Sequence, residues 1–362
     1  MAHSLPAPPW RGVNAIPRFL VLLLALPTSG CFTTGYLLQA AGGQYELVHS
    51  ARSLKTVALD PTTPPHVSSL LSRVPAIKRY GQKRGLTPTR NYDHYVDLRR
   101  SAAVYVVQGC APLEFKPRRW SFPIVGTVPY LGFFDAARAR EYAAELGKEE
   151  QLDVTVRTAA AYSTLGWFQD PVLSTMIPEG PDALGELINV ILHESVHATL
   201  YVTDQSAFDE SLASFIADQL TRDLLLLWVG PDAPEAKAYF EGEARGARAM
   251  NQLRQAHDDL AALYASSVSD VEKLAAKKER LLALQKSLGS RRSFNNADLA
   301  GIRTYDSGRG AFERLKSQCR SWSNFLEAVK KLRAEDFSQP QQAEFDGVLD
   351  ALAARECPAS SN

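Results

Sequence analysis

Two histidines and two glutamates set the chemistry this sequence can carry. His193-Glu194-Ser195-Val196-His197 places imidazoles four residues apart, and on a helix that spacing projects both from one face toward a single metal ion. Glu194 sits beside the first histidine but offset around the helix, where it reaches a metal-bound water as general base instead of ligating. Thirteen positions after His197, Glu210 stands in Phe208-Asp209-Glu210-Ser211-Leu212 as the expected third ligand. Two neutral imidazoles and one carboxylate leave one position on zinc for water, the arrangement of catalytic rather than structural sites. Glu194 would take a proton from that water and later pass it to a leaving amine. The competing reading is a polar helix face with two surface histidines, and Glu210 as a carboxylate favoured by its helix dipole.

These residues need two helices to bring them together. A turn at Pro178-Glu179-Gly180-Pro181 predicts a helix with proline at its first position. Leu184, Leu187, Ile188 and Ile191 form its apolar stripe, and Glu186, Asn189, His193 and His197 share another face. After the connector Tyr201 to Gln205, a second helix is expected from Phe208 or Asp209 to about Trp228, packing through Phe208, Leu212, Phe215, Ile216 and Leu220.

Upstream, Pro65 opens a helix carrying Val67, Leu70, Leu71, Val74 and Ile77. Ala103–Val107 reads as a strand, and Pro123–Phe134 as one or two. Asp135 caps a predicted helix Ala136–Leu146 with Gly147 at its end, and Asp153–Thr158 alternates as a further strand. A small sheet therefore precedes the metal helix, and the expected class is α+β, predominantly α. Downstream, Pro234–Leu288 reads as one or two long helices, with Lys273, Lys277, Lys278, Glu279 and Arg280 as a solvated face. Phe312, Leu315, Trp322, Phe325, Leu326, Val329 and Leu332 recur at helical spacing in the tail.

The chain has 362 residues, 45% of them hydrophobic, enough for a sizeable core. Forty basic residues balance forty acidic ones, so no global field favours nucleic acid, and none is expected as a partner. Arg11 and Arg18 precede the apolar run Phe19–Leu26, too short to span a bilayer but suited to an export signal. Pro27-Thr28-Ser29-Gly30-Cys31 resembles a bacterial lipobox, with Thr28 where leucine is commonest. Residues 1–30 are expected as a signal peptide and Cys31 as the lipidated first residue, anchoring an exported protein to a membrane of the cell envelope, inner or outer. Outside the cytoplasm Cys319 and Cys357 form a plausible disulfide, and Cys110 reads as a buried apolar cysteine more readily than a nucleophile.

Longer stretches carry a family resemblance. They include Gly35-Tyr36-Leu37-Leu38-Gln39-Ala40, Asn91-Tyr92, Tyr95-Val96-Asp97-Leu98 and Phe122-Pro123-Ile124-Val125-Gly126. They continue through Ala161–Thr175, Ala207-Phe208-Asp209-Glu210-Ser211, Asn295-Asn296-Ala297 and Thr304-Tyr305. Together they resemble the bacterial family of predicted zinc aminopeptidases, often lipoproteins, over nearly all of the chain beyond Cys31.

The resemblance implies a zincin-like (gluzincin-like) metallopeptidase domain over 31–362. Its expected parts are a mixed α/β portion at 31–180, metal-site helices at 181–230 and a helical portion at 231–362. It further implies one zinc ion on His193, His197 and Glu210, Glu194 as base, and a peptide substrate. Ala161–Phe168 reads as a wall of the cleft or an ordinary core strand, and Tyr162, Tyr201 and Tyr305 are candidate oxyanion donors. Glu186 or Asp209 is a candidate for holding a substrate ammonium. The chain departs from the family at Asp209, usually asparagine, and at Ala217, often an acid, with Asp218 one further on. These departures leave open an envelope lipoprotein that binds a partner with a weakened site, and the same zinc chemistry also admits an endopeptidase.

Overall fold

The computed structural model describes residues 31–122, 126–161, 169–301, 308–342 and 344–358. The chain opens with α1 (Cys31–Ser50), the short β1 (Arg52–Ser53), α2 (Leu54–Leu59) and α3 (Pro65–Gln82). Pro65 occupies the first turn of α3, as the sequence predicts, and Leu70, Leu71, Val74 and Ile77 face the core. Six strands and one helix follow: β2 (His94–Val96), β3 (Val104–Cys110), β4 (Trp120–Phe122), β5 (Gly126–Val128), β6 (Leu131–Phe133), α4 (Ala136–Glu149) and β7 (Asp153–Ala159). The Pro123–Phe134 region thus contributes two strands, with Pro123, Ile124 and Val125 outside the described residues.

Strand β3 is the centre of an antiparallel sheet in the order β6-β3-β7, with Val107 paired to Leu131 on one side and Val156 on the other. Val107, Leu131, Phe133 and Trp120 form a small core with Ala139 and Leu146 of α4. Asp135 caps α4 by accepting the Arg138 N–H at 2.8 Å. The helix runs through Gly147 to Glu149, past its expected end, because Gly147 holds an ordinary helical conformation and the left-handed turn falls at Gln151, φ 53°. A second sheet joins β1, β2 and β8 (Val172–Leu173), and β4 with β5 forms a hairpin.

The helical half begins with α5 (Ala183–His197) and α6 (Ser206–Val229). Pro181 does not stand at the first position of α5; it lies in the preceding turn, with Asp182 at the N-cap. Leu184, Leu187, Ile188 and Ile191 are buried against Phe208, Leu212, Phe215, Ile216 and Leu220 of α6 in one large core. Full burial of each such side chain contributes about 1.5–3 kcal/mol, so this pairing is held by many apolar contacts. Two long helices come next, α7 (Pro234–Ala265) and α8 (Asp270–Ser287). Tyr239 of α7 lies so close to α5 that a Cβ on Gly185 would come within 2.3 Å of its ring.

The remaining helices are α9 (Asn296–Ala300), α10 (Arg309–Cys319), α11 (Trp322–Val329) and α12 (Asp346–Glu356). Phe312, Phe325, Phe337 and Phe345 from this tail pack on Phe208 and Phe215 of α6. Cys319 and Cys357 are disulfide-bonded and tie α10 to the end of α12. Cys110 is fully buried, and burial pushes its thiol up to about 12, as suits an inert core cysteine.

The expectation of a solvated basic face on α8 fails at Lys277. Its side chain is buried, and its ammonium donates to Asp153 and to the Pro112 carbonyl. The local pattern could not show this, because the partners lie more than a hundred residues upstream. Asn296, with no exposed surface, completes the junction. Its amide donates to the Ala111 and Pro112 carbonyls at 2.8 and 3.1 Å, and its carbonyl accepts the Tyr264 hydroxyl at 2.8 Å. The junction fastens the α7–α8 pair to the sheet. Asn296→Ala removes the partner of the half-buried Ala111 carbonyl and Tyr264 hydroxyl, a loss of about 1–2 kcal/mol. Urea unfolding measures it, and a change within experimental scatter would show that the junction does not stabilise the fold.

Candidate metal centre

His193 and His197 project from the last turns of α5, and Glu210 from the early turns of α6, so the apolar packing of the two helices fixes their separation. The two Nε2 atoms lie 3.2 Å apart. Glu210 places Oε2 3.3 Å from His193 and Oε1 3.6 Å from His197. Ligands about 2.0–2.2 Å from one ion at tetrahedral angles stand roughly 3.3–3.5 Å apart, so the three donors fit zinc. His197 is 7% exposed, His193 18% and Glu210 23%, a site closed below and open on one side. His197 ends α5 and Glu210 lies near the start of α6, where the helix dipoles favour positive and negative charge respectively.

Burial and mutual attraction act together on these groups. Burial alone would raise the Glu210 carboxyl, but hydrogen bonds to His193 and His197 bring it down to about 2. Burial alone would lower His197, but the Glu210 carboxylate more than offsets this and raises it to about 8. Burial pushes Asp209 up to about 7, against the lowering effects of the Val202 N–H and His197. Asp209 Oδ1 accepts that N–H at 3.0 Å. Its Oδ2 and the His197 Nδ1 are both buried without a hydrogen-bond partner among the described residues.

Glu194 does not join the three donors. Its Oε2 is buried without a hydrogen-bond partner among the described residues. Its charge acts on Tyr92, a residue whose local role the sequence did not reveal. Tyr92 is buried in a left-handed conformation, φ 63°, pinned by its N–H to the Asp170 carbonyl at 2.6 Å. The Asn91 side chain accepts the Asp170 N–H at 3.2 Å and closes the clamp. Burial first, then the charges of Glu194 and Asp170, raise the Tyr92 phenol well above its ordinary range. The clamped Asn91-Tyr92 pair was visible in sequence as a stretch of family resemblance, but nothing in a tyrosine signals a positive φ.

The other expected contributors are placed differently. Tyr162, Tyr305 and the stretch from Tyr162 to Phe168 lie outside the described residues. Tyr201 is 47% exposed beside the site, with burial and then Asp209 raising its phenol. Asp209, at 4% exposure, faces inward and so does not offer itself to a substrate ammonium. Glu186 is exposed on the outer side of α5, its carboxyl raised by partial burial and by Asp182 and Asp218. Ala217 is buried in the core, and Asp218 accepts from Asn189 at 3.1 Å and pairs with Arg309. Asn189 also donates to the Tyr239 hydroxyl at 3.1 Å.

The pH response of the metal-free protein follows from these shifts. Folded His197 keeps its proton to about pH 8 against 6.5 ordinarily, so its contribution is full below 6.5 and lost as the pH rises through 8. Asp209, raised from 3.8 to about 7, has the same sign across that interval. Glu210 contributes above 4.5 and loses its contribution only toward pH 2, outside this window. With a chelator present, the urea midpoint is expected to fall between about pH 5.5 and pH 8.5. A midpoint that is flat or rising over this range would contradict the assignment.

A family model described as "Putative aminopeptidase" matches residues 35–343. No curated protein and no solved structure matches at a significant level. The matched stretch takes in the sheet, the Tyr92 clamp, both helices of the candidate centre and the long helical pair. The chain belongs to this aminopeptidase family.

Proposed function

We propose that the protein is a zincin-like, zinc-dependent aminopeptidase, exported and held to an envelope membrane by lipid on Cys31. The carrying observation is the convergence of His193, His197 and Glu210 at zinc-ligand spacing, with Glu194 in the same helical turn and its Oε2 without a hydrogen-bond partner among the described residues. His193, His197 and Glu210 would hold one zinc ion, which when bound supplies a Lewis acid and makes water a nucleophile near neutral pH. Glu194 accepts the proton of the attacking water at Oε2 and delivers it to the nitrogen of the departing amine. The exopeptidase direction rests on the family's description. The Cys319–Cys357 disulfide supports an oxidising compartment, where an exported chain resides.

Glu194→Gln should keep about one zinc per chain while kcat/KM falls about 10²- to 10⁴-fold on peptide substrates. His193→Ala should lose the zinc itself, read by metal analysis. If wild type holds zinc yet cleaves nothing in a broad peptide library, the hydrolytic reading fails and a binding role takes its place. Free and N-acetylated versions of one cleaved peptide then separate the two peptidase modes. Loss of cleavage on acetylation is expected, and equal cleavage would establish an endopeptidase.

A further inference from the structure

Helix α1 is apolar on two faces, and the body covers one of them. On the covered face Gly43 abuts the Phe134 ring and Leu47 is 2% exposed. Gln39 fixes the helix to β6, donating to the Gly132 carbonyl at 3.0 Å and accepting the Phe134 N–H at 3.2 Å. The opposite face holds Leu37, Leu38, Ala41, Gly42, Tyr45 and Val48 in solvent, with Leu38 59%, Tyr45 63% and Val48 52% exposed. From Gly35 to Ser50 the sequence has one acidic residue and no lysine or arginine. That residue, Glu46, pairs with Arg100 at 3.3 Å. A helix hydrophobic all round belongs between two apolar surroundings, and here the protein supplies one.

We propose that the exposed face of α1 is a membrane-docking surface that rests in the lipid headgroup and acyl boundary. This rests on the anchored reading above. The helix begins at Cys31, five residues beyond the apolar run Phe19–Leu26, so its first turn stands where the lipid would be attached. At 1.5 Å per residue, Leu38 to Val48 lie about 10–26 Å along the helix from that point, within reach of the same bilayer. No helix among the described residues is long and apolar enough to cross a membrane, so α1 lies along it. A second copy of the chain fits less well, because a stable dimer buries about 800 Å² on each partner and this face is one row of side chains. An anchored protein needs only a second, weaker contact to fix its orientation. The α7–α8 pair, fastened at the β7 side of the sheet, stands at the edge opposite α1 and β6.

The test uses the full chain, purified from membranes and reconstituted into phosphatidylcholine vesicles. Single cysteines replace Leu38, Tyr45 or, as a remote apolar control on α8, the 48% exposed Leu274. In the chain purified from membranes the Cys31 thiol carries the lipid, Cys110 is buried and Cys319 is bonded to Cys357, so an environment-sensitive dye reports the introduced thiol. The dye at Leu38→Cys and Tyr45→Cys should be quenched several-fold more than at Leu274→Cys by lipids carrying a shallow spin label, at every protein-to-lipid ratio. Equal quenching at all three positions overturns the proposal. Shielding that appears only at high protein density overturns it in favour of a dimer. Failure to fractionate with membranes overturns the anchor and this proposal together, and leaves the hydrolytic reading standing on its own assays.

Discussion

The carboxylate of Glu210, set between two imidazoles, is the interaction on which the site depends. Burying three polar side chains is unfavourable unless each has a partner, and here they serve one another. Glu210 stays ionised because two histidines surround it, and His197 stays basic because Glu210 offsets its burial. The arrangement suits a cation such as the zinc ion proposed above. None of the three residues sets its own position. Leu187, Ile188 and Ile191 against Phe208, Leu212 and Phe215 determine how α5 and α6 lie, and the donors follow.

The features legible in sequence were those written in local periodicity. The amphipathic α5, the extent of α6, the division of Pro234–Leu288 into two helices and the apolar tail are all as the pattern predicts. The Cys319–Cys357 bond is the pairing that sequence made plausible while leaving the connectivity among Cys110, Cys319 and Cys357 open. What escaped was set by distant contacts. Lys277 sits in a run of charges indistinguishable from a solvated face until Asp153 and Pro112 come alongside it. Tyr92 owes its left-handed conformation to Asp170, which is nearly eighty residues away.

The two departures from the family pattern have different consequences. At position 217 the alanine fills a place in the core, and Asp218 turns to Asn189 and Arg309 and not to a histidine. Asp209, in contrast, is drawn into the centre. Its charge acts on His197, whose Nδ1 is buried with no hydrogen-bond partner among the described residues. Asp209 Oδ1 is taken by the Val202 N–H, and neither its Oδ2 nor the His197 Nδ1 has a hydrogen-bond partner among the described residues, so the aspartate acts on His197 by charge and not by a bond that orients the ring.

The site also depends on a part of the chain far from it. Gln205, in the connector before α6, donates to the Gln339 carbonyl at 2.8 Å and accepts the Gln342 N–H at 3.0 Å. The Asp204 carbonyl, next to it, accepts the Gln341 N–H at 2.6 Å. Phe208, two residues before Glu210, is enclosed by Phe312, Phe337 and Phe345. Those rings belong to a tail that the Cys319–Cys357 bond closes on itself. The start of α6 is therefore held on one side by α5 and on the other by residues more than a hundred positions downstream. A helix end would otherwise fray, and a ligand there would wander by more than the few tenths of an ångström that metal coordination allows. The long C-terminal half, which contributes none of the three proposed ligands, is in this sense part of the centre.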